Sequence, residues 1–263
     1  MKILSFYDGT IQSKTTLEYG IKKAKEKGAE LIVLQIFESS LFIDYDAGPK
    51  AEEIARSEAK RFLQEAEDLI REKGQGARVR IMTEEGNRDQ ELLRVAKKEH
   101  VDLVLATPRC KGIIKSSTCP VHIIPGTILV PIDSSDTLLT DLDLITSEAE
   151  ATGSEVLLMG VVPIHLYSKE EKKELEDLKK SVDASVKKIK KALSAKGVRT
   201  SEIIRSGYPD EEILRVADEY AVSLIMLPAG GKTPSELTKA AAILLDEPER
   251  ARMLIQVLRT TEA

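Results

Sequence analysis

Short runs of aliphatic residues alternate along this chain with longer segments in which aliphatic residues recur at helical spacing. Each apolar run predicts a strand, and each amphipathic segment predicts a helix. In the first half, the predicted strands cover residues 3–7, 31–37, 78–82, 103–106 and 121–124, and the predicted helices cover 15–27, 51–73 and 89–99. In the second half, the predicted strands cover 128–132, 156–162, 200–204, 224–227 and 253–258, and the predicted helices cover 138–149, 169–196, 210–220 and 234–245. Strands that alternate with long helices are typical of right-handed βαβ units and a parallel sheet.

The predicted strands are almost continuously apolar, which is typical of a sheet that helices cover on both faces. Five strands in each half predict an α/β chain made of two tandem, doubly wound, five-stranded parallel-sheet domains of Rossmann-like type. Sheets of this kind bind ligands in a crevice at the carboxyl ends of their strands. Asp8 and Asp133 directly follow the first predicted strand of their halves, so both are candidates for such a crevice.

An internal repeat supports the division into two domains. Residues 86–105 align with residues 207–226 at an offset of 121 without a gap, and nine of the twenty aligned positions are identical. We therefore predict domains at residues 1–125 and 127–263, with the junction at about 125–126. The identical pairs are Gly86 and Gly207, Asp89 and Asp210, Glu91 and Glu212, Leu93 and Leu214, Arg94 and Arg215, Val95 and Val216, Ala96 and Ala217, Val101 and Val222, and Leu103 and Leu224.

Composition excludes several classes of protein. The chain has 263 residues, 42% of them hydrophobic and none of them Trp, so its cores must be aliphatic. Lys and Arg (39) are balanced by Asp and Glu (44), and the lysine-rich segments 22–27 and 179–191 have helical spacing. We interpret these segments as solvated helix faces and expect no nucleic-acid partner. The start lacks the apolar run of a signal peptide, and no apolar stretch reaches the ~20 residues of a membrane span. We therefore expect a cytoplasmic protein with no membrane partner.

Few residues point to catalysis or to metal binding, and we predict neither. Cys110 and Cys119 are too few for a disulfide scaffold or a structural zinc site, and free thiols are expected in a cytosolic chain. Asp141 and Asp143 are expected at exposed positions of a helix. No metal-ligand spacing connects the histidines, of which the second is predicted to be a strand side chain. The histidines are His100, His122 and His165.

The strand-ending aspartates, the helix starts at Gly86 and Gly207, and the tract at 119–124 together resemble the universal stress protein family. The resemblance covers almost the whole chain, twice. It implies an adenine-nucleotide-hydrolase-like fold in each half. It also implies that the last strands, 121–124 and 253–258, pair antiparallel so that the halves form a pseudo-dimer.

Nucleotide-binding members of this family carry Gly-x-x-Gly, nine further residues, and then Gly-Ser or Gly-Thr after the fourth strand. Glycines let backbone amides approach phosphates closely. In the second half this motif aligns with residues 228–231 and with Ala241 and Ala242, so one glycine of three remains. We expect the Ala241 methyl group to fill space where backbone and phosphate would meet. A plain glycine turn before the next helix is the competing interpretation.

The resemblance nevertheless implies a weak nucleotide site in the second half. Its strand-ending aspartate and a residue of its second strand would contact adenosine, while two glycine amides and a lysine would hold one phosphate. These candidate residues are Asp133, Val161, Gly230, Gly231 and Lys232.

In the first half, the corresponding loop lies between Thr107 and Pro120 and is too short for a glycine cradle. Asp8 is then a degenerate site residue that accepts backbone hydrogen bonds in a turn. We expect the first half to bind no nucleotide.

Several functions stay open at this point. The leading hypothesis is a non-enzymatic, tandem universal stress protein that acts in stress response through binding and conformation, with degenerate nucleotide loops and no cofactor. One alternative keeps ATP or another adenine nucleotide in the second domain only. A small hydrolase rests on fold analogy alone. A pure interaction scaffold, an unknown protein partner and a homo-oligomer also remain open.

Overall fold

A computed structural model of the chain describes residues 1–37, 49–134, 141–168, 170–228, 235–246 and 254–258. The chain divides into two compact units, residues 1–125 and 126–263, and each is described by itself.

In the first unit, the described strands form a parallel sheet in the order β3-β2-β1-β4-β5. Its elements are β1 (Lys2–Phe6), α1 (Ile11–Lys27), β2 (Glu30–Phe37), α2 (Pro49–Lys73), β3 (Arg78–Glu85), α3 (Arg88–Lys98), β4 (Leu103–Ala106), a 3₁₀-helix (Pro108–Lys115) and β5 (Val121–Ile123).

In the second unit, the described strands form a parallel sheet in the order β10-β9-β6-β7-β8. Its elements are β6 (Thr127–Ile132), α4 (Leu142–Thr152), β7 (Glu155–Val162), a 3₁₀-helix (Ile164–Leu166), α5 (Lys172–Ala195), β8 (Thr200–Ser206), α6 (Pro209–Glu219), β9 (Leu224–Pro228), α7 (Glu236–Asp246) and β10 (Leu254–Leu258). The predicted α/β class with two five-stranded parallel sheets is confirmed.

Differences from the predicted bounds have local causes. β3 and β8 lie at sheet edges and alternate between exposed and partly buried residues, so apolar runs alone underestimated their length. The helix α1 begins four residues earlier than predicted, because the Thr10 hydroxyl accepts a hydrogen bond from the Ser13 amide and caps its start. The region 108–115, expected as a loop, is a 3₁₀-helix that buries Cys110 and Ile113.

Each central strand is buried by helices on both faces of its sheet. In the second unit, one face packs β6 and β7 side chains against α4 and α5, and the other packs them against α6 and α7. One residue position shows how helix contacts differ between the units. Gly160, the sixth residue of β7, lets α5 approach closely, since a Cβ there would lie 2.8 Å from Val182 Cγ1. The sixth residue of β2 is Gln35, whose buried side-chain amide donates to the Ala59 carbonyl of α2 at 2.7 Å.

The residues shared by the repeat have the same structural role in both units. At the start of α3, Glu91 packs on Gly86, where a Cβ would lie 3.1 Å from Glu91 Cγ, and it pairs with Arg94 at 2.6 Å. At the start of α6, Glu212 packs on Gly207 in the same way and pairs with the residue three positions on, Arg215. The repeated Gly, Glu and Arg therefore stabilise the packing of a helix start against the end of a strand. That these residues are identical in the two halves does not indicate a catalytic site.

The predicted pairing of the last strands stays a prediction. Within their own sheets, β5 and β10 are edge strands, which leaves one side of each available for hydrogen bonds.

Two predictions about acidic residues had different outcomes. Asp143 is 89% exposed and pairs with Lys196, as expected for an exposed helix position. Asp141 is only 3% exposed and immediately precedes α4, so the prediction that it is exposed was wrong. Burial raises the pKa of the Asp141 carboxyl.

His122 is a buried strand side chain, as predicted. Among the described residues, neither ring nitrogen has a hydrogen-bond partner, and the ring lies edge-on to Tyr19 with centroids 5.3 Å apart. Burial, together with the charge of Lys23, lowers the pKa of His122 to about 3.

Acid should therefore destabilise the fold through His122. Between its folded pKa of about 3 and its ordinary value of 6.5, the unfolded chain binds a proton that the folded chain does not. The stabilisation is complete above the ordinary value and is lost as the pH falls, at up to about 1.4 kcal/mol per pH unit. His122→Leu should flatten the decrease in unfolding free energy between about pH 7 and about pH 5, measured by urea denaturation.

The exposed His100 provides the control for this experiment. His100→Gln should keep the wild-type pH dependence. If the unfolding free energies of His122→Leu and the wild type depended on pH in the same way, His122 would not be the source of the acid destabilisation.

Candidate functional site

A cavity of about 150 Å³ lies at the carboxyl edge of the second sheet. Asp133 and Ser134, which follow β6, form one side, and Val161 and Pro163, at the end of β7, form another. Because the strands are parallel, their carboxyl ends meet at one edge, which brings residues distant in sequence together. The remaining lining residues are Tyr167, Leu178, Val182, Pro209, Ser235, Glu236 and Leu237.

The start of α7 closes one end of this cavity. The Ser235 amide donates to Thr238 Oγ1 at 2.9 Å, and the Thr238 amide donates to Ser235 Oγ at 3.3 Å. This reciprocal arrangement satisfies donors that a helix start otherwise leaves without partners. The hydroxyl of Thr238 also donates to the Ser235 carbonyl at 2.8 Å.

Glu236 is the first residue of α7, and its carboxylate contacts Lys239 and His165. Its Oε1 lies 2.6 Å from Lys239 Nζ, and its Oε2 lies 3.5 Å from His165 Nε2. Lys239, and secondarily His165, hold the pKa of the Glu236 carboxyl below its ordinary value. The His165 ring stacks on Tyr208, with centroids 4.3 Å apart and planes 19° apart.

The structure brings together only part of the predicted site. Asp133 and Val161 both line the cavity, whereas Gly230, Gly231 and Lys232 lie outside the described residues. Ala241 lies in the middle of α7 and is 5% exposed, packed in the core of the second unit. Its methyl group points into that core, so the expectation that it fills space beside a phosphate was wrong.

Sequence reasoning missed several cavity residues, of which Tyr167 and Glu236 are the most informative. Tyr167 follows a three-residue 3₁₀-helix, Ile164–Leu166, that the hydrophobic periodicity of the sequence did not predict. The serine and threonine three residues apart at 235 and 238 are a helix-start signal, and this signal could have placed Glu236 at the cavity.

The corresponding edge of the first sheet is arranged differently. Asp8 Oδ1 accepts hydrogen bonds from the Thr10 amide at 3.1 Å and from the Thr10 hydroxyl at 2.6 Å. Its Oδ2 lies 3.5 Å from Arg109 Nη1. Asp8 thus forms a turn with local partners, as predicted.

An aromatic ring occupies the space beside this turn. Gly9 has φ +76°, and a Cβ there would overlap the ring of Phe62 from α2. The Arg61 guanidinium lies 4.9 Å from the centre of the same ring. The ring of Phe62 and the Asp8–Arg109 pair therefore both lie at the turn that follows β1.

A buried phenol lies behind the same turn. Tyr7 is 1% exposed, and its hydroxyl has no hydrogen-bond partner in the part of the chain that the structure describes. Burial, with Glu65 and Asp8 nearby, raises its pKa to about 12. Lys14 Nζ lies 2.7 Å from Glu65 Oε2. Tyr7 therefore remains a neutral phenol over the physiological pH range.

Both cysteines are free thiols, as predicted. Burial raises the pKa of Cys110 to about 11 and also raises that of Cys119. In the described ranges, no group of His, Cys, Asp and Glu side chains is arranged to hold a metal ion. Nor does any helix in those ranges combine the length and apolar character that a membrane crossing requires.

The sequence profile of the universal stress protein family matches residues 1–125 and again residues 126–239. The chain belongs to this family and carries its domain twice. Universal stress protein MJ0577 from Methanocaldococcus jannaschii is 33% identical over 78 residues, which are 29% of this chain and 48% of that protein. The chain therefore matches about half the length of this curated relative.

Solved structures of the same family are similar to the chain. A universal stress protein from Archaeoglobus fulgidus DSM 4304 aligns over 99% of this chain and 97% of its own, with 18% identity and a TM-score of 0.43. The universal stress protein from Archaeoglobus fulgidus in complex with dAMP aligns over 52% of this chain and 100% of its own, with 18% identity and a TM-score of 0.35.

The contact between Gly9 and Phe62 can be tested by a double-mutant cycle. Gly9→Ala should destabilise the protein by about 2–4 kcal/mol, because it adds a steric overlap to the strain of a positive φ. In a Phe62→Ala background the same substitution should cost only about 1–2 kcal/mol, since the backbone strain alone remains. Urea denaturation of the four proteins measures both values. If Gly9→Ala lowered the unfolding free energy equally in the two backgrounds, the ring of Phe62 would not be in steric contact with this turn.

Proposed function

We propose that this chain is a non-enzymatic universal stress protein whose second domain binds a small adenine-type ligand and whose first domain binds none. The observation that carries the proposal is the contrast between the two sheet edges. The second has a cavity beside Asp133, whereas in the first Asp8 pairs with Arg109 and the ring of Phe62 lies against Gly9.

The chemistry of the second cavity supports a ligand with an aromatic base. Val161, Tyr167 and Leu178 provide apolar contact surface, and the Asp133 carboxylate provides a hydrogen-bond acceptor at the end of β6. Pockets for drug-sized ligands measure roughly 300–1,000 Å³, so a cavity of about 150 Å³ suits a base-sized group. The carboxylate favours ligands that present N–H or O–H donors, as an adenosine does.

A binding role without catalysis is supported by the lining of the cavity. Among the described lining residues, Ser235 is engaged with Thr238, and Glu236 is engaged with Lys239 and His165. Neither arrangement joins a nucleophile to a base that would activate it. Ligand binding at this edge would act through the conformation of the α7 start and of the 3₁₀-helix at Ile164–Leu166.

The two strand-ending aspartates form a matched pair for testing this proposal. We expect calorimetry on the whole chain to detect adenine ligand binding of micromolar or weaker affinity. Asp133→Ala should reduce that affinity by about tenfold or more, since a hydrogen bond to a charged group contributes about 1.5–3 kcal/mol. Asp8→Ala should leave it unchanged.

Other outcomes would overturn parts of the proposal. Equal losses in Asp8→Ala and Asp133→Ala would place a ligand in the first domain as well. The absence of binding by any adenine compound would favour a pure interaction protein. Hydrolysis of ATP that is lost in Asp133→Ala would establish an enzyme.

A further inference from the structure

We infer that the junction between β6 and β9, which we call the β6–β9 seam, is a hinge line in the second sheet. At this seam, β9 separates from β6 in a local opening that does not require unfolding of the rest of the domain. The seam lies where the strand order β10-β9-β6-β7-β8 reverses its direction along the chain. A short hydrogen-bond ladder and two prolines lead to the inference.

The ladder across the seam is shorter than its counterpart in the first sheet. In the described strands, β6 pairs with β7 over residues 127–132, but it pairs with β9 only over residues 128–129. In the first sheet, the equivalent strands β1 and β4 have one further pair towards their carboxyl ends, Ser5 with Leu105. The seam therefore lacks ladder pairs at the edge of the sheet where ligands bind in this type of fold.

Proline at position 131 explains the missing pair. The Thr127 carbonyl accepts a hydrogen bond from the Ser223 amide at 3.0 Å, so the backbone of Thr127 faces β9. Backbone groups alternate in direction along a strand, so residue 131 faces β9 as well. A further pair, Val130 with Met226, would need an N–H at position 131 to bond the Met226 carbonyl. Pro131 has no N–H to donate.

A second proline removes the next hydrogen bond of the same ladder. Pro228 is two residues beyond Met226 on β9, where an N–H would bond the Pro131 carbonyl, and it also lacks this donor. Proline is normally confined to edge strands, strand starts or bulges, because elsewhere it breaks the ladder. Since β6 is the central strand of its sheet, Pro131 is a departure from this rule that weakens one junction and leaves the pairing with β7 intact.

Side-chain packing closes the part of the seam that the ladder does not join. Leu129 of β6, Ile225 and Leu227 of β9, and Leu237 of α7 belong to one buried core. Such packing is not directional, so it does not fix the spacing of two strands as backbone hydrogen bonds do. Local openings of proteins often coincide with supersecondary units. The unit beyond the seam is β9, α7 and β10, a βαβ unit, and we assign the opening to it.

Native-state hydrogen exchange of the full chain, measured at single amides by NMR, tests the seam. In the wild type, the Met226 amide should exchange at least about tenfold faster than the Leu158 amide of β7, after correction for intrinsic rates. Pro131→Ala supplies the missing N–H and should slow exchange at Met226 by about three- to tenfold relative to Leu158, because a restored hydrogen bond shifts an opening equilibrium by about that much. Exchange at Leu105, in the first sheet, should not change.

Pro131→Val is the second variant, because proline lies between alanine and valine in side-chain volume. Both variants restore the N–H, but they change the packing in opposite directions, so both should slow Met226 relative to Leu158. Equal exchange of these two amides in the wild type would show that β9 does not open separately and would overturn the inference. Slower exchange in only one folded variant, or in neither, would overturn the role given to Pro131.

The cavity of the second domain is lined from both sides of the seam, which connects the inference with the proposed function. Asp133 and Val161 line it at the ends of β6 and β7, and Leu237 lines it from α7. This last step rests on the proposed function: a ligand that contacts both sides binds the closed seam and slows its opening by mass action.

Adenosine at about ten times its calorimetric Kd should slow wild-type exchange at Met226 by about tenfold. Binding of adenosine without this effect would show that the cavity and the seam are not coupled, and would overturn this step alone. If adenosine does not bind, the proposed function fails, whereas exchange in the ligand-free protein still decides whether the seam opens.

Discussion

Burial of aliphatic side chains on both faces of each parallel sheet is the constraint on which the rest of this structure depends. With no Trp in the chain, the cores are formed mainly by Leu, Ile, Val and Ala, with a few Met, Phe and Cys side chains among them. A parallel sheet of this kind must return each strand through a helix, so all strand carboxyl ends meet at one edge. That edge is where backbone turns, helix starts and polar side chains come together.

Several side chains near these edges have different contacts in the two domains. In the first domain, Phe62 rests on Gly9, and Gln35 binds the backbone of α2 through a polar contact. In the second, Gly160 lets α5 approach so closely that Val182 lies against the sheet and also lines the cavity. The same strand order therefore carries different side-chain contacts at the carboxyl edge of each sheet.

Much of this fold could be predicted from the sequence, since strand positions and the repeat follow from apolar runs and from identities such as Val95 and Val216. The turn role of Asp8 was also accessible, because it depends on residues two positions away. Other features depend on contacts between distant segments. Examples are the burial of Asp141, the contact of the Phe62 ring with Gly9, and the contact of Glu236 with His165. The partners in these contacts lie far apart in the sequence, so no regular spacing predicts them. The length of β8 was underestimated because this edge strand alternates exposed and partly buried residues and therefore has no continuous apolar run.

Each sheet takes all of its described strands from its own half of the chain. This arrangement has a consequence for biosynthesis. Every strand of the first sheet has been synthesised by Ile123, so that sheet can close on the ribosome while the second half is still being translated. The repeated Gly, Glu and Arg contacts span only nine residues in each half, so they form among neighbours as soon as those residues emerge. Two similar sequences in one chain risk exchanging strands during folding, and such early, local closure of the first half limits that exchange.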